Sequence, residues 1–136
     1  MSFAKMLKIG IEYEEKVLNT LKKKYPLSVR IEGQFLDYDI WIPEISKSVE
    51  VKYDKRSETT GNIIIEFEKN NKPGDILTTK ADVWCIHTVN GYLWIKPLSI
   101  IECLLREEYK KIELNKGRCA LSTYPCLLYT SDAADE

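Results

Sequence analysis

The feature that most constrains the fold is a pair of short segments, DYDIWIP (residues 37–43) and SVEVKYDK (residues 48–55). Apolar and polar residues alternate in both, which predicts strands with one buried face. The linking residues EISK are few and polar, so the simplest arrangement is an antiparallel hairpin with its turn near Ile45. The polar side chains of the two strands then share one face of a sheet.

The expected register of this hairpin sets Asp39 opposite or diagonal to Glu50. Directly opposed Cβ atoms lie about 4.5–5.5 Å apart, and two carboxylates that close repel each other unless a cation lies between them. Mg²⁺ is usually held by one or two carboxylates together with water and phosphate oxygens. Asp39 and Glu50 are therefore the predicted ligands of Mg²⁺ (or Mn²⁺).

Lys52 lies two residues after Glu50 and is predicted to point the same way. Its ammonium group can position or help deprotonate a water and can neutralise charge that develops on a phosphate. Asp37 is the rival to Asp39 as metal ligand, and Asp39 is preferred because it lies nearer the strand interior. The alternative interpretation of Glu50 and Lys52 is an ordinary solvated strand face.

The N-terminal segment, from Phe3 to about Tyr25, has the three- and four-residue apolar spacing of an amphipathic helix closed by Pro26. Glu14 falls inside the apolar stripe, three residues after Ile11. Burying an unpaired carboxylate is costly, so Glu14 is predicted to face a cation, a donor network or a metal. The alternative is a glutamate at the edge of the stripe that reaches water or a lysine.

The rest of the chain completes an α/β fold, which is predicted as a mixed β-sheet of about five strands flanked by helices. The further elements are a third strand in NIIIEFE, one or two helical turns in DILTTKAD, a hairpin of VWCIHTV and YLWIK around Asn90-Gly91, and a helix from a capping box of Ser99 and Glu102 to about Lys111. The N-terminal helix is expected on one face of the sheet and the helix around Ile100 on another side.

Composition limits the classes of protein that fit. The 136 residues suffice for one domain, predicted over residues 1–122, and a net charge of −1 creates no strong field toward polyanions. The four cysteines form no CxxC pair, which argues against structural zinc. No apolar run fits a signal peptide or membrane span, so a cytoplasmic setting is expected. Residues 123–136 resemble a translated sequencing adapter and are predicted to be a non-native tail outside the fold.

The order of these motifs resembles the PD-(D/E)xK, or restriction-endonuclease-like, nuclease superfamily. The matching stretches are GIEYEEKV, DYDIWIP, VEVKYD and NIIIEFE, and GNIIIEFEKNNKPGDILTTKADVW is similar to small phage-type members. The similarity runs from about residue 5 to residue 96, with Tyr38 where the motif has proline. The resemblance implies a restriction-endonuclease-like fold and a Mg²⁺-dependent endonuclease. It also implies that Asp39 and Glu50 ligate Mg²⁺, Lys52 serves the attacking water and Glu14 completes the catalytic site.

Other residues carry weaker predictions. Glu66 in the third strand is an accessory acid or a solvent-exposed strand residue. Lys55, Arg56 and Lys80 follow the candidate strands and are predicted to bind nucleic-acid phosphates, with ordinary surface lysine and arginine as the alternative. His87 lies in an apolar strand and is predicted to be structural rather than catalytic.

The predicted function is a metal-dependent nuclease that hydrolyses phosphodiester bonds in DNA by a Mg²⁺-activated water. A catalytically inactive DNA-binding module that retains the nuclease fold is the first alternative, and a small structural domain with a salt-bridge network is the second. The sequence leaves open DNA or RNA, the form of nucleic acid that is cut, and whether the chain forms a homodimer. No membrane partner is expected.

Overall fold

The computed structural model describes residues 2–32, 37–53, 62–88, 91–107, 109–114 and 118–123. The predictions made for Lys55, Arg56, Asn90 and residues 124–136 lie outside these residues.

The described residues form two β-sheets and three helices. The first sheet has the strand order β1-β2-β3-β6-β7, with β1 (Val29–Arg30), β2 (Ile40–Ile42), β3 (Lys47–Tyr53), β6 (Val83–Thr88) and β7 (Gly91–Ile95). The second has the order β5-β4-β9-β8, with β4 (Ile63–Lys69), β5 (Lys72–Pro73), β8 (Lys110–Leu114) and β9 (Arg118–Thr123). The helices are α1 (Phe3–Lys22), α2 (Asp75–Thr78) and α3 (Pro97–Leu105).

The first sheet is mixed, because β3 pairs with β6 in parallel while its other strand pairs are antiparallel. A five-stranded mixed sheet flanked by helices confirms the predicted α/β fold class. Across the described helices, none combines the length and the apolar character that crossing a bilayer requires.

The predicted β2–β3 hairpin is confirmed, with Ile40 paired to Val49. Its turn includes Ser46, which has a left-handed φ of 50°. One step beyond the Ile40–Val49 pair, the backbone N–H of Asp39 donates to the carbonyl oxygen of Val49 at 2.9 Å. Asp39 therefore lies across from Glu50 at the point where β2 begins.

Helix α1 covers one face of the first sheet. Its Val17 and Leu21 are buried in a cluster with Ile40 and Val49 from the hairpin and Val83 from β6. At the other end of α1, Ser2 caps the helix by accepting a hydrogen bond from the Lys5 N–H at 3.2 Å. The apolar stripe thus seats the helix on the sheet, as its spacing predicts.

Helix α1 ends at Lys22 rather than near Tyr25. The residue before a proline disfavours helical backbone angles, so Pro26 constrains Tyr25 and the last turn unwinds early.

The opposite face of the first sheet packs against α3 and the second sheet. This core contains Trp84 and Ile86 from β6, Ile63 and Ile65 from β4, and Ile100 from α3. The predicted third strand is therefore a strand, β4, but it lies in the second sheet instead of extending the first. Its antiparallel neighbours there are β5 and β9.

The prediction for the last helix is wrong at both ends. Helix α3 begins at Pro97 with Lys96 as its N-cap, and Ser99 is buried within the first turn instead of capping it. Proline is favoured in the first turn because its missing N–H has no partner there. The helix ends at Leu105, Glu107 adopts a left-handed φ of 58°, and Lys111 lies in strand β8.

Two other predicted elements are confirmed. DILTTKAD contains one helical turn, α2, and β6 and β7 form an antiparallel hairpin in which Thr88 pairs with Gly91. Gly74, just before α2, lies so close to β4 that a Cβ atom there would be 2.8 Å from the carbonyl carbon of Phe67. Only glycine fits this contact, which holds the start of α2 against the sheet.

The burial of α3 in the second of these cores leads to a testable prediction about stability. Ile100 is fully buried, whereas Leu98 on the same helix is 63% exposed. We expect Ile100→Ala to lower the free energy of unfolding by about 2–5 kcal/mol, because it leaves a cavity. The matched control Leu98→Ala should change it by less than about 0.5 kcal/mol. Urea denaturation measures both values, and equal losses in the two variants would contradict this account of the core.

Candidate active site

The structure brings the predicted metal ligands together. The carboxyl groups of Asp39 and Glu50 lie within hydrogen-bonding reach of each other, so that either one, when protonated, can donate to the other. Oδ2 of Asp39 also accepts the backbone N–H of Val51 at 2.8 Å. Asp39 is thus held by the backbone of the neighbouring strand β3, in the hairpin geometry that the sequence predicts.

Burial and mutual repulsion govern the ionisation of this pair. Burial raises the pKa of Asp39 above its ordinary value, although the Val51 N–H and the Lys52 ammonium oppose the shift. Burial, followed by the charge of Asp39, raises the pKa of Glu50 to about 7. Near neutral pH the two carboxyl groups therefore hold a proton between them for part of the time, because they lack enough positive charge.

Lys52 lies beside the pair, as predicted. Its Nζ atom is 3.8 Å from Oε1 of Glu50 and 3.1 Å from Oδ2 of Asp75. The ammonium also lies 5.1 Å from the centre of the Trp84 ring, whose indole N–H donates to Oγ1 of Thr79 at 3.0 Å. Three contacts thus fix the position of the cation, because the ring beneath it is itself held in place.

Glu14 faces inward from α1, as its place in the apolar stripe predicts. Its side chain is 20% exposed, and its Oε1 atom is 3.4 Å from Nη1 of Arg30. Burial, followed by the charge of Asp39, raises the pKa of Glu14, and Arg30 opposes the shift. Glu14 is therefore near enough to Asp39 for their charges to interact, and it has Arg30 as its cation.

Glu50 and Lys52 line a cleft of about 340 Å³ that lies next to α2. Two further predicted residues line it, the rival ligand Asp37 and the predicted phosphate-binding Lys80. The full set of lining residues is Asp37, Glu50, Lys52, Asp75, Thr78, Thr79, Lys80 and Trp84. Asp37 is thus in the cleft, but it is Asp39 that touches Glu50.

A second cavity of about 320 Å³ adjoins the first and shares Lys52, Asp75 and Trp84 with it. Glu66 lines this second cavity and not the cleft that contains Glu50. Its position follows from the placement of β4 in the second sheet. If Glu66 is an accessory acid, as predicted, it acts from the second cavity, and Lys52 lies between it and the cleft that contains Glu50.

His87 lies among aromatic rings rather than among the acids. Tyr13, Tyr53 and Tyr92 are within ring-contact distance of it. Its Nδ1 atom is buried without a hydrogen-bond partner among the described residues. Burial and the charge of Lys16 lower its pKa.

The sequence argument missed three residues that shape the site. Asp75 and Trp84 hold Lys52, and Arg30 pairs with Glu14. Asp75 and Lys52 are 23 positions apart and meet only because Gly74 brings α2 close to β4. The only sequence feature that marks this contact is the Gly74-Asp75 pair at the start of α2, and it does not indicate that Asp75 binds Lys52.

The carboxyl groups of Asp39 and Glu50 fit a cation that is bound by only one or two protein ligands. Within the part of the chain that the structure describes, no group of three or more His, Cys, Asp or Glu side chains could hold a metal ion. Zinc-like cages are therefore not found there. Mg²⁺ commonly uses one or two carboxylates with water and phosphate oxygens, and the Asp39–Glu50 pair supplies that number.

Comparisons of the chain with protein-family models, with curated proteins and with solved structures find no match. The resemblance to PD-(D/E)xK nucleases stays a prediction, and any functional argument depends on the geometry of the site.

The raised pKa of Glu50 predicts a pH-dependent stability. A carboxyl group whose pKa rises from 4.5 to about 7 on folding stabilises the fold below its unfolded pKa, and this contribution is lost as the pH rises through the folded pKa. Between about pH 5 and about pH 8, wild type should therefore lose more stability than Glu50→Gln, which cannot titrate. Thermal melts at both pH values measure the difference.

The control for this prediction is Glu12→Gln on the exposed side of α1. This variant should follow wild type at both pH values. If Glu50→Gln loses as much stability as wild type over the same interval, the raised pKa of Glu50 in the folded state is wrong.

Proposed function

We propose that the chain is a Mg²⁺-dependent nuclease of the PD-(D/E)xK type that hydrolyses phosphodiester bonds in DNA. The observation that carries the proposal is the contact between the Asp39 and Glu50 carboxyl groups, with the Lys52 ammonium 3.8 Å from Glu50 at the side of an open cleft. Two adjacent, partly buried acids with raised pKa values form a site that a cation would stabilise.

The charge of the whole cluster also supports a divalent cation. Five carboxyl groups, those of Glu14, Glu32, Asp39, Glu50 and Asp75, face two cationic side chains, Arg30 and Lys52. When fully ionised, this set carries three excess negative charges. A divalent ion would offset two of them and would remove the need for a proton between Asp39 and Glu50.

The roles of the residues follow from their positions. Asp39 and Glu50 would hold Mg²⁺, which when bound supplies Lewis-acid polarisation of the phosphate and a more acidic water. Lys52 stands next to Glu50, so its ammonium group can orient the attacking water and stabilise the negative charge that builds up on the phosphate. Glu14 acts from α1 by adding negative charge beside Asp39. Lys80, on the wall of the cleft, can contact a neighbouring phosphate.

The second candidate function is a DNA-binding module that keeps the nuclease fold without turnover. The observation that favours it is the 3.1 Å ion pair between Lys52 and Asp75, which occupies the catalytic amine. A module of this kind would bind DNA and would not cut it in any metal.

Cleavage of supercoiled plasmid in Mg²⁺ or Mn²⁺ tests the proposal. We expect wild type to nick the plasmid and Lys52→Ala to slow nicking by about 10²–10⁴-fold, the usual effect of losing one acid–base group. The matched control is Lys47→Ala at the start of the same strand, which should cut at the wild-type rate. DNA binding of each variant is measured by fluorescence anisotropy in EDTA.

The outcomes separate the candidate functions. Nicking that depends on Lys52 while binding is retained supports the nuclease. Binding without nicking in either metal supports the inactive module, and neither binding nor nicking contradicts both.

Metal binding gives an independent prediction. A ligand that binds only the folded state at a hundredfold excess over its Kd stabilises that state by about 2.7 kcal/mol. We therefore expect Mg²⁺ to raise the Tm of wild type, and to raise it much less in Asp39→Asn or Glu50→Gln. Glu12→Gln should keep the full shift. A shift of equal size in all four proteins would place the ion elsewhere.

A further inference from the structure

Four aromatic side chains form a cluster beside the candidate active site. The rings of Tyr13 and Tyr53 are stacked, with centroids 4.5 Å apart and an interplanar angle of 14°. The imidazole of His87 meets both rings edge-on, at 5.2 Å and 5.5 Å, and Tyr92 lies 5.1 Å from His87. These contacts hold the stacked pair in a fixed orientation, because edge-to-face packing restricts ring rotation.

The cluster adjoins the acids along two separate elements. Tyr13 is next to Glu14 on α1, and Tyr53 follows Lys52 at the end of β3. The side chains of Lys52 and Tyr53 point to opposite faces of the sheet, but both residues line the second cavity. The parallel pairing of β3 with β6 sets His87 beside Tyr53. The aromatic rings therefore lie at the ends of β3 and β6, on the face of the sheet that α1 covers.

The cluster lies at the edge of the core under α1, against which Tyr92 packs, and Tyr53 is its exposed member. Tyr53 is 40% exposed, and the other three residues are partly exposed. The ammonium group of Lys16 lies 5.5 Å from the centre of the Tyr13 ring and adds a positive charge. Clustered aromatic rings with a nearby cation are the features by which proteins hold unpaired bases.

The ligand chemistry follows from the rings and from the depth of the site. A base can stack on a tyrosine only if it is not already stacked within a duplex, so the rings favour a single strand. The Glu50 side chain is only 20% exposed and the Lys52 side chain 33% exposed. A phosphate reaches such recessed groups more easily on a flexible strand than on a rigid duplex.

We propose that the stacked rings of Tyr13 and Tyr53 form a base-stacking platform that holds a single-stranded segment of the nucleic-acid substrate. This inference deepens the proposed nuclease function and rests on it for the class of ligand. Tyr53 receives the base, Tyr13 and His87 support the ring from behind and from the side, and Lys16 contributes charge to the nearby backbone.

The test uses a single-stranded oligodeoxynucleotide that contains 2-aminopurine, in EDTA so that no strand is cut. Stacking on a tyrosine ring quenches the fluorescence of this base, so the wild-type protein should quench it on binding. We expect Tyr53→Leu to weaken binding by about five-fold or more and to abolish most of the quenching. Tyr53→Phe keeps the ring and should restore both.

A matched control exists just beyond the C-terminal end of α1. There the Lys24 ammonium lies 5.3 Å from the Tyr25 ring, the same kind of aromatic–lysine pair, next to a different cavity. Tyr25→Leu should leave affinity and quenching at the wild-type level. Tyr13→Leu, which removes the supporting ring, should weaken both and provides a second variant if Tyr53→Leu fails to fold by circular dichroism.

The platform is overturned if wild type does not quench the single strand, or if Tyr53→Leu and Tyr13→Leu both bind and quench as wild type does. Equal affinity for a duplex of the same sequence also overturns it. Plasmid nicking in Mg²⁺ separates this result from the proposed function. Nicking without quenching overturns the platform alone, whereas quenching that depends on Tyr53 without cleavage of any nucleic acid supports the platform and overturns the nuclease.

Discussion

The contact between the carboxyl groups of Asp39 and Glu50 is the constraint on which the candidate site depends. Burial raises the pKa of both acids, and the charge of Asp39 raises that of Glu50 further. The protein tolerates this arrangement because the Val51 N–H and the Lys52 ammonium lower its cost. It does not remove the cost, since Glu50 still titrates near pH 7.

The scaffold fixes this pair through strand β3, which lies between an antiparallel neighbour and a parallel one. The antiparallel partner β2 brings Asp39 across from Glu50, and the parallel partner β6 sets Trp84 beside Glu50 and beneath Lys52. The two hydrophobic cores, one under α1 and the other under α3 and the second sheet, pack on opposite faces of this sheet. Both cores limit the access of water to the acids, which is why burial is the largest cause of each pKa shift.

The parts of the site that depend on local pattern could be predicted from the sequence. Alternation and a short linker set the register of Asp39 and Glu50, and helical spacing turned Glu14 inward. The ion pair between Lys52 and Asp75 could not be predicted, because it depends on the approach of α2 to β4 at Gly74. The placement of β4 in the second sheet also depends on residues that are far apart in the chain, and the sequence did not predict it. Its partner β9 lies about fifty positions further along the chain, and pairing over that distance leaves no periodic signal in either strand. The end of α3 was a different failure, since the helix was predicted to continue to about Lys111 although the alternation of Ile112 and Leu114, which indicates a strand, follows directly.

The charge of the cluster bears on how a nucleic acid could be held at all. On the proposed function, the excess of carboxyl groups around Lys52 repels a phosphate until a divalent ion is present, so contacts in the cleft depend on metal. The tyrosine rings beside the cleft carry no such penalty, because stacking on a neutral ring does not require a counterion. A strand could thus be held at the rings before the ion and the scissile phosphate meet at Asp39 and Glu50. This division of labour suits a protein whose net charge of −1 provides no general attraction for a polyanion.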